Sequence, residues 1–104
     1  VRALKLVIAI VQDADADSLL EELIRYKFRA TKLASSGGFL RRGNTTILIG
    51  VEDDEVEQVK HLIRANCERR QIRRLAFEEK EDLQELLTTG TVVLVLNVEE
   101  FEKF

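Results

Sequence analysis

Apolar and polar residues alternate along this chain with two different periods, and the points where the period changes mark the elements. Leu4 to Val11 is almost wholly Leu, Val, Ile and Ala. Such a run predicts a central strand buried on both faces or nearly so. From Gln12 to Asp17 the chain turns acidic. Asp13, Asp15 or Asp17 can cap a helix start, because a short carboxylate accepts the free backbone N–H groups there. Leu19, Leu20, Leu23 and Ile24 then share one helical face, with Glu21, Glu22 and Arg25 on the other. Tyr26 and Lys27 fall near the helix end.

Phe28, Ala30 and Leu33 begin a second strand, interrupted by Ser35-Ser36-Gly37-Gly38. Phe39 to Arg41 extends again before Arg42-Gly43-Asn44 turns the chain. Thr45 to Val51 is β-branched, apolar and uncharged, the pattern of a third strand. Strands two and three therefore form an antiparallel pair with a polar turn at one end. Glu52 to Asp54 opens a second helix with negative charge at its positive end. Val56, Val59, Leu62 and Ile63 make its buried stripe, with His61 beside it. Ile72 to Phe77 has the apolar content of a further strand, weakened by Arg73 and Arg74. Glu78 to Leu87 is highly charged, with leucines at 83, 86 and 87, and is either a short helix or a mobile excursion. Thr91 to Val98 is the last strand. In the tail from Glu99 to Phe104, Phe101 and Phe104 either pack onto the domain or close over a ligand.

The order is β-α-β-β-α-β with an insert before the final strand. It predicts one α+β domain over residues 1–104, a ferredoxin-like sandwich of an antiparallel sheet with two helices on one face. LVIAIV and VVLVLNV are apolar at both strand parities. The second sheet face then needs a cover, and in so small a domain a neighbouring subunit is the expected source.

Composition narrows the chemistry. The 104 residues carry a net charge of -3, which argues against broad nucleic-acid binding. No apolar run reaches the roughly 18–20 residues that cross a membrane, and LKLVIAIVQD reads as a strand rather than a secretory leader. The single cysteine, Cys67, excludes an intrachain disulfide and favours a reducing compartment, the cytoplasm. His61 and Cys67 have no partners at metal-ligand spacing. The only histidine sits on a helix away from any nucleophile. No enzyme, metal or cofactor is expected.

One stretch is chemically unlike a core segment. TKLASSGGFLRRGNTT, Thr31 to Thr46, joins two adjacent glycines, an aromatic ring, two arginines and a Gly-Asn step. Arginine gives a phosphodiester positive charge and paired donors, and backbone N–H groups freed by Gly37 and Gly38 can form an anion nest. Phe39 is either a pocket edge or a core aromatic. Asn44 either reads a base edge or shapes the turn. Arg41 and Arg42 are either ligand contacts or rim charges. Arg69, Arg70, Arg73 and Arg74 either bind an anion or pair with Glu78, Glu79, Glu81 and Asp82.

With these stretches in view, KLVIAIVQD (Lys5–Asp13), FRATKLASSGGFLRRGNTT (Phe28–Thr46), ILIGVEDDEVEQV (Ile47–Val59) and TVVLVLNVEEFEKF (Thr91–Phe104), the chain resembles the PII-like receptors of cyclic di-AMP, a branch of the nitrogen-regulatory PII superfamily. The resemblance implies a homotrimer with nucleotide sites at the subunit clefts, no catalysis, and signalling to a downstream protein through a loop. It implies that Arg29 and Thr31 lie near the ribose-phosphate, that Gly37 and Gly38 admit close backbone approach, and that Phe39 and Leu40 pack on adenine. Asn44 and the backbone around Gly50 would read the base edge, with Arg41, Arg42 and Lys103 at the rim. The chain departs from the family pattern in three places. Glu78–Thr89 is short and free of proline, Thr89-Gly90-Thr91-Val92 replaces a Gly-Gly-Ala-Thr approach to the last strand, and Lys103 replaces a frequent glutamine. The alternatives are a PII-like sensor of another adenine nucleotide or anionic metabolite, and a structural trimer without ligand.

Base stacking on an aromatic ring is worth about 1–3 kcal/mol by substitution. Phe39→Ala is therefore expected to weaken cyclic di-AMP binding by roughly ten-fold or more and to leave the thermal midpoint in place. Unchanged affinity by calorimetric titration would remove Phe39 from the site.

Overall fold

Strand β1 (Leu4–Gln12) lies at the middle of a four-stranded sheet with order β2-β3-β1-β4. The computed structural model describes residues 3–33, 43–77 and 91–104, with residues 67–77 as backbone. Along the chain, β1 leads into α1 (Asp13–Arg25), β2 (Arg29–Leu33), β3 (Asn44–Glu52), a single 3-10 turn (Asp53–Glu55), α2 (Val56–Phe77) and β4 (Val92–Asn97). Every strand pairing is antiparallel. The fold is α+β with the predicted β-α-β-β-α-β order. The expected insert, Glu78–Thr89, lies outside the described residues.

Alternation along the two long strands sends Val7, Ala9 and Val11 of β1, and Ile47, Ile49 and Val51 of β3, to one side. There they meet Ala16, Leu19 and Leu23 of α1 and Val59 and Ile63 of α2 in a single buried cluster. Both helices therefore cover the same sheet face. Leu19 and Leu23 have no exposed surface, and at such sites truncation to alanine typically costs about 2–5 kcal/mol. The helices are also tied by a hydrogen bond from Ser18 Oγ to Asn66 Oδ1 (3.0 Å).

Several local expectations change. Ile24 is 57% exposed. It is rotated about 100° from Leu23 on the helix, outside the narrow stripe of Asp15, Ala16, Leu19 and Leu23 that faces the sheet. The aspartates do not cap α1. Gln12 occupies the N-cap without a side-chain capping bond, and Asp13 and Asp15 lie in the first turn, where negative charge suits the helix dipole. Asp15 is buried rather than solvated. Ile72 to Phe77 is not a strand but the last part of α2. Arginine, glutamine, leucine and alanine are good helix formers, and no Gly or Pro intervenes to stop the helix. Phe101 and Phe104 do not pack onto the domain. They are 70% and 108% exposed.

Capping at the other helix ends follows the sequence. Glu52 and Glu55 form a reciprocal capping box at the 3-10 turn, with the Glu52 N–H donating to Glu55 Oε1 at 2.9 Å. The end of α1 is closed by two bonds, Lys27 N–H to the Ile24 carbonyl and Phe28 N–H to the Leu23 carbonyl, both 2.9 Å. This is the Schellman pattern. Phe28 and Leu23 share the core cluster, which supplies its apolar contact. The pattern places Lys27 in the left-handed region at φ 67°, where a β-carbon is unfavourable and glycine is at ease. Lys27→Gly is accordingly expected to stabilise the protein by about 1 kcal/mol, raising the thermal midpoint. A lower midpoint would show that the lysine side chain contributes more than its backbone conformation costs.

Candidate functional site

The helices leave the second face of the sheet open. By alternation it carries Leu4, Leu6, Ile8 and Ile10 of β1, Thr46 and Leu48 of β3, and Leu94 and Leu96 of β4; Ile10 and Thr46, beside Asn44, are buried, so the exposure lies toward β4. Leu94 and Leu96 are 42% and 47% exposed. Val95, on the helix side of the same strand, is also 42% exposed, so the helical layer stops short of β4. An apolar sheet edge with this much exposure is a surface for association.

Four of the expected ligand residues lie among the described ones, and all four project toward this open face. Arg29 pairs with Gly50, and Thr31 with Leu48, across β2 and β3. Arg29 and Thr31 are exposed. Gly50 is clear of neighbours, since a β-carbon built there meets nothing within 4 Å. The subunit's own packing does not require that glycine. A glycine inside a strand weakens it and commonly marks close approach of a ligand or another backbone. Together these residues combine a guanidinium, a hydroxyl and open backbone at one end of the sheet.

Asn44 is at the other end. It begins β3, six positions before Gly50, a separation of roughly 20 Å at strand rise. This end is firmly built. Gly43 takes φ 81° in the turn before β3, which glycine alone adopts without strain. Its carbonyl accepts from the Asp13 N–H at 3.0 Å. Thr45 Oγ1 donates to Asp13 Oδ1 at 2.5 Å. The start of α1 is thus joined to the start of β3, and Asn44 stands half-buried on a braced backbone. Gln12, at the end of β1, is its partner in register. Residue types alone do not reveal that pairing, because the acidic run after Gln12 reads as a helix start.

Gly37, Gly38, Phe39, Leu40, Arg41 and Arg42 lie outside the described residues, as do the side chains of Cys67, Arg69, Arg70, Arg73 and Arg74. Lys103 is in the exposed tail. His61 is exposed on α2. Among the described residues, Glu52, Asp54 and Glu55 are close enough to share a cation, but Glu52 and Glu55 already serve the capping box. Lys5 Nζ donates to Asn97 Oδ1 and stands 3.6 Å from Asp53 Oδ1. Lys32 pairs with Asp17 at 3.1 Å. Exposed pairs of this kind are worth about 0–1 kcal/mol and brace the edges of the sheet. No helix among the described residues is long and apolar enough to cross a membrane.

The arrangement is that of a binding surface: a guanidinium and an open strand backbone at one end, an amide pair at the other, and an apolar strip between. Known proteins share the fold. A crystal structure of a functionally unknown protein from Pediococcus pentosaceus is similar over 100% of both chains, at 39% identity and a TM-score of 0.71. A DUF3240 family protein from Shewanella baltica shares the fold at 12% identity and a TM-score of 0.59, with 97% of this chain and 96% of that one covered. A family model described as "Cyclic-di-AMP receptor" matches residues 4–104, and on that match the chain belongs to the cyclic-di-AMP receptor family.

Proposed function

We propose that the protein is a PII-like cytoplasmic sensor that binds cyclic di-AMP in the clefts of a homotrimer and reports it to a partner protein. The observation that carries this reading is the open sheet face, with its ligand residues divided between opposite ends. Within one chain, Asn44 is roughly 20 Å from Gly50, farther than one base and its phosphate extend. A second copy laid against the open face can bring its own Asn44 end to the Arg29–Gly50 end of the first. The same contact covers Leu94 and Leu96, so assembly and site formation become one event.

In that cleft Arg29 pairs with the phosphodiester, where a planar guanidinium matches two oxygens at once. Thr31 adds a hydroxyl, and Asn44 offers a donor and an acceptor to the adenine edge. The segment 35–44, with Phe39 and Leu40 against the base and Arg41 and Arg42 at the rim, closes over the ligand. Lys103 adds a rim charge from the tail. Binding shifts the protein only insofar as one loop arrangement holds the ligand better than another. Segment 35–44 and the charged segment 78–89 are the two loops through which that preference reaches a partner.

Titration with cyclic di-AMP, cyclic di-GMP and ATP tests the reading. Tight binding of cyclic di-AMP with weak or no binding of the others is expected, and a preference for ATP would reassign the ligand. Gly50→Ala is expected to leave the far-ultraviolet circular dichroism unchanged, because the β-carbon enters open space. It should weaken cyclic di-AMP binding by about ten-fold, the effect of losing one or two close polar contacts. Unaltered affinity would take Gly50 out of the cleft. Ligand addition should also slow amide hydrogen exchange in segment 35–44, and identical exchange with and without ligand would contradict loop signalling.

A further inference from the structure

Apart from Leu33, the large apolar side chains exposed among the described residues fall into three groups, and the charge around each group differs. Leu94, Val95 and Leu96 lie in β4, which is uncharged from Val92 to Leu96. Phe101 and Phe104 stand on the tail, where Glu99, Glu100 and Glu102 outnumber Lys103. Ile24 and Tyr26 are at the end of α1. With Arg25 and Lys27 they make four consecutive exposed residues around that helix end, and no acid occurs from Ile24 to Leu33. Among the described residues, no ion pair engages Arg25 or Lys27. Acids at the same end of the sheet are already engaged, Glu52 and Glu55 in the capping box and Asp53 beside Lys5. The helix end is also firmly built, since the N–H groups of Tyr26, Lys27 and Phe28 donate to the carbonyls of Glu22, Ile24 and Leu23. Lys27 keeps a long cationic side chain there at φ 67°, a conformation that glycine adopts more easily.

The acidic, aromatic tail is the complement of this basic, apolar helix end. The Val98 N–H is tied to the Leu4 carbonyl at 3.1 Å, and residues 99–104 are exposed beyond it. The tail leaves from β4, and α1 runs into β2, the opposite edge of the sheet, about 14 Å away across three strand spacings. Phe101 and Tyr26 both remain exposed within one subunit. The β4 strip could cover an aromatic ring, but it gives the neighbouring glutamates no cation, and burying an unpaired charge is costly. We propose that the tail of one copy docks on the α1 end of a second copy, with Phe101 anchored on Ile24 and Tyr26 while Glu99 and Glu100 face Arg25 and Lys27. An aromatic anchor within a polar rim is the usual make-up of an interface hot spot. The contact joins two different surfaces, tail to helix end, so repetition of it closes a ring, as in a trimer. It requires copies that associate and is independent of which ligand they bind.

The experiment uses the full chain with Cys67→Ser as background and adds F101C, Y26C or L96C singly, so that a disulfide can form only between copies. Variants are mixed in pairs at a concentration where native mass spectrometry shows assembly, oxidised, and mapped by non-reducing peptide analysis. F101C should link to Y26C and not to L96C. A link to L96C, or an assembled mixture with no link to Y26C, would overturn the docking. A chain that stays single at every concentration would overturn both this contact and the homotrimer reading, whereas a Y26C link in a protein that ignores cyclic di-AMP would remove only the ligand assignment. Charge reversal carries the test if the cysteine variants fail to fold. R25E/K27E and E99K/E100K should each raise the concentration at which the assembly dissociates by roughly three- to ten-fold, the effect of losing two exposed ion pairs. Combining the two sets should recover most of that loss, and losses that simply add would overturn the pairing.

Discussion

A sheet with two apolar faces and only one set of helices is the constraint from which the rest follows. The helix-side face is sealed by α1 and α2, with Val7, Ala9, Ile47 and Ile49 fully removed from solvent. The other face keeps leucines on β4 near half exposure. Burying a leucine completely contributes about 1.5–3 kcal/mol, so covering several half-exposed side chains is a substantial drive toward association. The exposed edge of β4, apolar from Val92 to Leu96, adds backbone groups that favour pairing. A chain built this way has a face that is better covered than wet.

The same face carries the polar groups suited to a nucleotide, and their placement is economical. The Arg29–Gly50 end is open and carries a guanidinium beside the acidic turn Glu52–Glu55. The Gln12–Asn44 end is braced by the bonds that join Asp13 to Gly43 and Thr45.

Much of this architecture is legible in the residues. β1 and β3 announce themselves as β-branched apolar runs, and the stripe at Val56, Val59, Leu62 and Ile63 marks the first turns of α2 because only a helix aligns those positions. Other features depend on tertiary context. Ile72, Leu75 and Phe77 are compatible with either period, and with no breaker after Asn66 the helix simply continues. Ile24 has the spacing of a core residue, yet the sheet beneath α1 accepts a stripe too narrow to include it. Phe101 and Phe104 look like anchors, yet both are exposed in the tail. At the site, the family resemblance points to Arg29, Thr31, Asn44 and Gly50 individually. Their division between two ends of one face, and the pairing of Asn44 with Gln12, come from strand register, which composition does not encode.

The central claim is that the open sheet face becomes a binding site only when copies of the chain meet across it. Native mass spectrometry with cyclic di-AMP at micromolar protein concentration tests this most directly. Three subunits carrying up to three ligands, with no ligand retained by a lone subunit, is the predicted result. A single subunit that binds cyclic di-AMP by itself, or a trimer that never retains it, would contradict the account.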